Sequence, residues 1–158
     1  MFGLGKKKFT EVNIDHELVE EIIDIAKESY PNEFSAMLQG KVENDILKIR
    51  ELIFLPGAAS ESGAVMEIFM MPMLSDSVGS VHSHPGPSAQ PSDADLQFFA
   101  KRGYFHMIIA QPYNEESIRA YDGYGEFVDY SIVWIINFPE NIMFLIKQKK
   151  IKLKLKNY

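Results

Sequence analysis

Apolar residues recur with helical spacing near the start of the chain. Residues 15–29 place five apolar side chains on one face of a helix and acidic side chains on the other, which predicts an amphipathic helix. The apolar positions are Leu18, Val19, Ile22, Ile23 and Ala26. Asp15 can cap the start of this helix. Tyr30-Pro31 ends it, because a residue that precedes proline avoids the helical conformation.

Most of the remaining apolar segments are short and bounded by turn residues, which is typical of strands. They predict strands over residues 9–14, 34–40, 46–55, 78–84, 104–110, 117–122 and 126–136. Residues 43–45 indicate a hairpin turn between two of them. A second helix is predicted from Ser92 to Arg102, with Gly103 as its C-terminal cap. The expected fold class is α/β (α+β), with a mixed, mostly antiparallel sheet flanked by helices.

The candidate chemistry lies between residues 80 and 95. His82 and His84 are two apart in a predicted strand, so their side chains share a face and originate about 6.5 Å apart. A Pro/Gly/Ser loop then leads to Ser92 and Asp95 at the start of the second helix. Two imidazoles and one carboxylate can bind zinc and leave the fourth position open, as in catalytic zinc sites.

Each part of this stretch also has an ordinary structural interpretation. Ser92-x-x-Asp95 before an apolar run is close to a capping box, and an isolated His-x-His is commonly two unrelated histidines. The combination of both parts at this spacing favours the metal site. The two interpretations are compatible, because Ser92 can cap the helix while it serves the site.

The stretch resembles the signature of the JAMM (MPN+) zinc metalloproteases, a deubiquitinase-like family. That signature is His-x-His-Pro, six residues, then Ser-x-x-Asp, and residues 82–95 match it. The family also has a glutamate well upstream, for which Glu33 in the segment 30–40 is the candidate. The resemblance covers about residues 9–133 and implies the MPN (cytidine-deaminase-like) fold. The small size is similar to that of the compact archaeal members.

The resemblance implies an activity and a set of roles. One Zn²⁺ per chain would be bound by His82, His84 and Asp95, with Glu33 as the general base and Ser92 as a hydrogen-bond donor to the oxyanion. The implied reaction is hydrolysis of the peptide or isopeptide bond after the C-terminal Gly-Gly of a ubiquitin-like small modifier. The implied partners are such modifiers and their conjugates. The alternative is a non-catalytic or latent modifier-binding scaffold module.

The composition limits the classes of protein to which this chain can belong. A chain of 158 residues without cysteine excludes disulfides and thiolate metal sites and fits a reducing compartment, so we expect a cytoplasmic enzyme. No apolar run approaches the length of a membrane span. The first 140 residues carry a net charge of −12 and the last 18 carry +6. The acidic body disfavours nucleic acid as a partner.

Several assignments stay open in the sequence. We expect a catalytic domain over residues 1–136 and a basic extension over 137–158, whose lysines either dock an acidic or anionic partner or form a solubilising tail. Residues 66–71 are either an ordinary strand or a flap strand that pairs with a substrate tail. His106 is expected either in the core or packed next to the metal ligands, and His16 on the surface. The oligomeric state, including a homodimer, is open.

Overall fold

The computed structural model describes residues 9–54 and 77–135. Their helices and strands are β1 (Glu11–Asp15), α1 (His16–Ser29), β2 (Ser35–Glu43), β3 (Ile46–Ile53), β4 (Ser77–Ser83), α2 (Asp93–Phe99), β5 (Phe105–Ile109), β6 (Ile118–Tyr121) and β7 (Ser131–Val133). A short 3₁₀ helix, Glu115–Ser117, precedes β6.

The seven strands of these two ranges form one sheet in the order β6-β5-β4-β2-β3-β1-β7. Three of the strand pairings are antiparallel (β2 with β3, β2 with β4, β5 with β6), and three are parallel (β1 with β3, β1 with β7, β4 with β5). The predicted mixed sheet with flanking helices is therefore confirmed, and parallel pairings are as numerous as antiparallel ones. Within the described ranges, no helix is long and apolar enough to cross a bilayer.

The predicted hairpin joins β2 to β3. Asn44 and Asp45 occupy its two central positions with φ angles of 52° and 62°. Two successive left-handed residues of this kind match the twist of the flanking strands, and Asn and Asp tolerate that conformation better than most residues do. The local sequence was therefore sufficient to place this turn.

The sheet separates two hydrophobic clusters. The larger one lies under α1, whose five predicted apolar positions are all buried. The smaller one lies under α2 and consists of Met37, Phe98, Phe99, Ile108 and Tyr121. Alternation along β5 divides its side chains between the two clusters, as expected for a strand covered on both faces. Asp15 occupies the N-cap position of α1 without making a side-chain capping hydrogen bond.

The second helix ends earlier than predicted. Its last residue is Phe99, whereas the sequence indicated Arg102. Gly103 has a φ of +89°, and a Cβ there would lie 2.6 Å from the carbonyl oxygen of Val78. Gly103 therefore allows the chain to pass close to β4 and enter β5, which is a tertiary requirement rather than a helix-capping one.

The prediction of a strand over residues 126–136 is wrong for most of its described length. Only Ser131–Val133 forms a strand there, and Phe127 makes an isolated bridge with Tyr121. Strands β6 and β7 lie at opposite edges of the sheet. The intervening residues must therefore cross from one edge to the other, and they cannot form one continuous strand with β7.

Two further predictions lie outside the described residues. These are the candidate flap strand at 66–71 and the basic extension at 137–158. The domain boundary at residue 136 accordingly stays a prediction.

Candidate metal centre

Strand β4 carries the two histidines at the middle of the sheet. It lies between β2 and β5, and the side chain of His82 is almost fully buried, with Phe99 of α2 beside it. His84 lies one residue beyond the strand, and its backbone N–H donates to the carbonyl of Ile109 at 2.9 Å. A backbone hydrogen bond to β5 therefore still holds His84 in place, although β4 itself ends at Ser83.

Helix α2 supplies the carboxylate through its N-terminal cap. The Ser92 hydroxyl accepts a hydrogen bond from the Asp95 N–H at 3.2 Å. In return, Asp95 Oδ2 accepts from the Ser92 N–H at 2.7 Å and from the Ser92 hydroxyl at 2.8 Å. This predicted capping box fixes the orientation of the Asp95 carboxylate, whose oxygens also lie near the histidines.

The three side chains converge on one point. His82 Nε2 lies 3.1 Å from His84 Nε2 and 3.2 Å from Asp95 Oδ1, and His84 Nε2 lies 3.5 Å from Asp95 Oδ2. Two ligands of a tetrahedral zinc ion, each about 2.0–2.1 Å from it, are about 3.3–3.4 Å apart. The separations within the cluster therefore fit one zinc ion, with two imidazole nitrogens and a carboxylate oxygen as donors.

The tautomer of His84 supports the same conclusion. Its Nδ1 lies 2.9 Å from the carbonyl oxygen of Ser88, which can only accept a hydrogen bond. The proton of a neutral His84 ring is thus on Nδ1, and Nε2 presents a lone pair to the cluster. Metal-binding histidines characteristically use the second ring nitrogen in this way.

Hydrogen bonds also hold the loop between β4 and α2 against the rest of the fold. The Tyr113 hydroxyl donates to the His84 carbonyl at 3.0 Å, and the Tyr121 hydroxyl donates to the Ala89 carbonyl at 2.6 Å. These contacts restrain the loop that determines the spacing between the histidines and Asp95.

The electrostatics of the cluster favour a cation. Burial alone would raise the pKa of Asp95, but the adjacent His82 and His84 and the hydrogen bond from the Ser92 N–H outweigh burial and hold that pKa well below its usual value. Burial alone would lower the pKa of His84, but the Asp95 carboxylate, the Ser88 carbonyl and the charge of Glu33 together raise it. The Asp95 carboxylate is thus ionised and available to a metal ion.

Glu33 approaches the site from the segment just before β2. Ser35 pairs with His82 in the β2–β4 ladder, and just beyond this pair the Ser83 N–H donates to the Phe34 carbonyl at 3.0 Å. Continuing this register brings Glu33 level with His84. Glu33 is partly buried, and its charge acts on His84.

Ser83 and Tyr113 support the site, and neither was predicted from the sequence. Ser83 lies between the two histidines and is fully buried, and its hydroxyl accepts a hydrogen bond from the Phe34 N–H at 2.9 Å. This bond ties the segment that carries Glu33 to the strand that carries the histidines. Alternation along the strand could have indicated that Ser83 points away from His82, whereas nothing local indicated Tyr113.

His106 is a core residue, as predicted. It is fully buried, stacks on Phe99 with ring centroids 4.2 Å apart, and its Nδ1 lies 2.8 Å from the Ser80 hydroxyl oxygen. Burial, reinforced by the charge of His82, lowers the pKa of His106 to about 3. His106 is therefore neutral at ordinary pH.

Comparisons with known proteins find matches that cover most of the chain. Residues 15–123 match the family model for prokaryotic homologs of the JAB domain. The chain is 31% identical over 129 residues to a probable metalloprotease of Haloferax volcanii, covering 77% of this chain and 80% of that protein.

Two solved structures are similar to this chain in both sequence and fold. One was described for JAMM, a metalloprotease-like zinc site in the proteasome and signalosome. Its chain is 34% identical to this one, and the match has a TM-score of 0.57 and covers 78% of this chain and 99% of that chain. A JAB1/MPN domain protein from Archaeoglobus fulgidus is 35% identical, with a TM-score of 0.60 and the same coverage of both chains.

Proposed function

The chain belongs to the JAMM/MPN metalloprotease family, among the prokaryotic homologs of the JAB domain, and from that membership we propose that it hydrolyses peptide or isopeptide bonds in a zinc-dependent reaction. The observation that carries the proposal is the convergence of three metal-ligating atoms on one point. The partly buried Glu33 is level with His84 when the β2–β4 register is continued. In this proposal His82, His84 and Asp95 bind the metal, Glu33 is the general base, and Ser92 contacts the substrate.

A zinc ion bound at the cluster would supply a Lewis acid that polarises an amide carbonyl and lowers the pKa of water from about 15.7 to near 7. Three protein ligands leave a coordination position for water and substrate. His82 and His84 would contribute neutral imidazoles and Asp95 the only carboxylate, so the zinc-loaded site would keep a net positive charge. That charge would favour the negative charge that develops on the carbonyl oxygen of the substrate.

Glu33 would carry the proton through the reaction. It accepts a proton from the attacking water as the oxygen bonds to the amide carbon, and it returns that proton to the departing amine as the carbon–nitrogen bond breaks. The register of β2 against β4, which brings Glu33 level with His84, supports this role. The hydrogen bond between Phe34 and Ser83 restrains its backbone.

Ser92 would donate a hydrogen bond to the substrate oxyanion. Its hydroxyl donates to Asp95 Oδ2, which also accepts from the Ser92 N–H. The carboxylate therefore keeps one hydrogen bond when the hydroxyl turns toward a substrate. Ser92 is exposed, which leaves its hydroxyl accessible.

Replacing Ser92 with alanine is expected to lower kcat by about 10²–10³-fold, because one oxyanion donor is lost. The cap of α2 would be lost as well, at a cost of about 1 kcal/mol in the free energy of unfolding. Steady-state kinetics at saturating zinc measure the loss of kcat separately from the loss of stability. Ser92→Thr keeps the hydroxyl and is expected to keep most of the activity; an equal loss in both variants would contradict the oxyanion role.

The proposed substrate is a ubiquitin-like small modifier with a C-terminal Gly-Gly, joined through an amide or isopeptide bond to another protein. Family membership supports this class. The test is cleavage of a ubiquitin-like protein fused through Gly-Gly to a reporter, with a matched fusion in which Ala-Ala replaces Gly-Gly. We expect cleavage after the second glycine and little cleavage of the matched fusion.

Metal removal tests the zinc dependence directly. Elemental analysis after dialysis is expected to find about one tightly bound zinc ion per chain, and that ion should be missing from an Asp95→Asn variant. Treatment with a chelator should abolish cleavage of the fusion, and added Zn²⁺ should restore it. Cleavage by metal-free protein would contradict the proposal. Zinc-loaded protein that binds the modifier without cleaving any fusion would instead indicate a modifier-binding module.

A further inference from the structure

A second group of side chains of metal-ligating types lies where α1 begins, separate from His82, His84 and Asp95. His16 is the first residue of α1, and Glu20 lies one turn later on the same face. Glu115 reaches the same place from the 3₁₀ helix before β6. His16 Nε2 lies 3.9 Å from Glu20 Oε1 and 3.9 Å from Glu115 Oε1, and the three residues offer ligand atoms that all lie within 4.8 Å of one another.

The His16 ring is held in a defined orientation. Trp134 stacks on it, with the ring centroids 3.6 Å apart and the planes 17° apart. The side chain of His16 is only 20% exposed, which differs from the surface position that the sequence indicated. The stack covers a face of the imidazole, whereas Nε2, at the ring edge, lies near the two carboxylates.

The surroundings of this group are predominantly acidic. A groove of about 460 Å³ runs beside it between α1 and the turn before β6. Its charged lining residues are four acids and one lysine: Glu20, Asp24, Glu115, Glu116 and Lys27. Glu20 and Glu115 offer carboxylate oxygens within 4.8 Å of each other, and carboxylates at that distance repel one another unless a positive charge lies between them.

We propose that His16, Glu20 and Glu115 bind a divalent transition-metal ion, of the class of Zn²⁺, Ni²⁺ and Cu²⁺. One imidazole nitrogen with two carboxylate oxygens suits these ions, and water completes the coordination. Both glutamate side chains are about half exposed, so they are free to rotate and close the 3.9 Å separations. The ion would link the start of α1 to the segment that leads into β6.

The same geometry has a simpler explanation that needs no metal. A protonated His16 would form an ion pair with both glutamates, and the positive charge would belong to the imidazolium. A metal ion and a proton compete for the same Nε2 lone pair. Direct measurement of metal binding at neutral pH therefore decides between the two explanations.

The chain contains a single tryptophan, which provides a local probe. Titration of the full-length protein with Ni²⁺ is expected to quench the fluorescence of Trp134, because the ion would bind the ring on which the indole stacks. Glu20→Gln and Glu115→Gln keep the stack and remove one ligand each, so each is expected to raise the midpoint of quenching about tenfold or more. Glu116→Gln removes a neighbouring exposed acid that is not a ligand, so it should change the midpoint much less than either ligand substitution does.

An Asp95→Asn background disables the catalytic cluster and shows which site the ion occupies. We expect the same quenching midpoint in that background as in the wild type. Loss of quenching there would overturn the proposal, because the ion would then be at the catalytic cluster. So would a wild type that Ni²⁺ does not quench, or a midpoint that neither glutamine variant changes. None of these readouts depends on catalysis, so they stand apart from the test of the proposed function.

The proposed link between α1 and β6 has its own readout. In the Asp95→Asn background, Ni²⁺ at about ten times the dissociation constant of the second site is expected to raise the melting temperature by about 3–6 °C. The additional Glu115→Gln substitution should remove most of that increase. An equal increase with and without the Glu115 carboxylate would show that the ion does not link the two segments.

Discussion

Asp95→Asn is expected to lower the zinc affinity of the catalytic cluster by at least about 10²-fold and to abolish cleavage with it. Even residues that only hydrogen-bond to a metal ligand typically contribute about 10–100-fold to affinity, and Asp95 would be a ligand itself. The asparagine amide cannot replace the carboxylate. If its oxygen accepts the two hydrogen bonds from Ser92 that Oδ2 now accepts, its NH₂ group faces His82 and the metal.

Zinc content after dialysis and cleavage of the Gly-Gly fusion measure this effect. Asp93→Asn is the matched control, since Asp93 is exposed in the same first turn of α2 and lies outside the cluster. We expect wild-type zinc content and activity in that variant. If Asp95→Asn retained both, the metal would not depend on this carboxylate, and the proposed mechanism would fail.

Glu33→Gln is expected to retain zinc and to lower kcat by about 10²–10⁴-fold. The amide keeps the size and polarity of the side chain but cannot accept a proton, and general-base catalysis contributes an effect of this size. Glu33 is not among the three side chains that converge on the metal position, so metal content should not change. This combination of retained metal and lost activity distinguishes a base from a ligand.

The measurement is kcat for cleavage of the fusion, together with the zinc content of the same preparation. Glu28→Gln, an exposed acid near the end of α1, is the control for the loss of one negative charge. A Glu33→Gln variant that cleaves at the wild-type rate would assign the proton transfer to another group. A variant that lost its zinc would place Glu33 among the ligands.

The metal cluster was predictable largely because its residues are close in sequence. His82 and His84 come together through the alternation of side chains along one strand. The Ser92–Asp95 capping box is a local signal, and α2 begins where it predicts. These relations depend on the geometry of a single strand or a single helical turn, so the segment 82–95 contained most of the information about the cluster.

Other features could not be obtained from local patterns. Glu33 comes level with His84 only because β2 pairs with β4, and periodicity within either strand does not specify its partner. Local patterns also do not predict that residues 126–130 cross from one sheet edge to the other. That crossing depends on which strands lie at the two edges. Trp134 likewise covers His16, although the two lie more than a hundred residues apart in the sequence.

The sequence by itself determined the helices and most strands, the turn at Asn44 and Asp45, and the two-histidine, one-aspartate cluster. Each follows from contacts between residues a few positions apart, whose geometry the backbone restricts. The tertiary structure decided the strand order, the approach of Glu33 to the cluster and the grouping of His16 with Glu115. These three features depend on which distant segments of the chain bury their apolar faces against each other. The packing of the whole chain determines that arrangement.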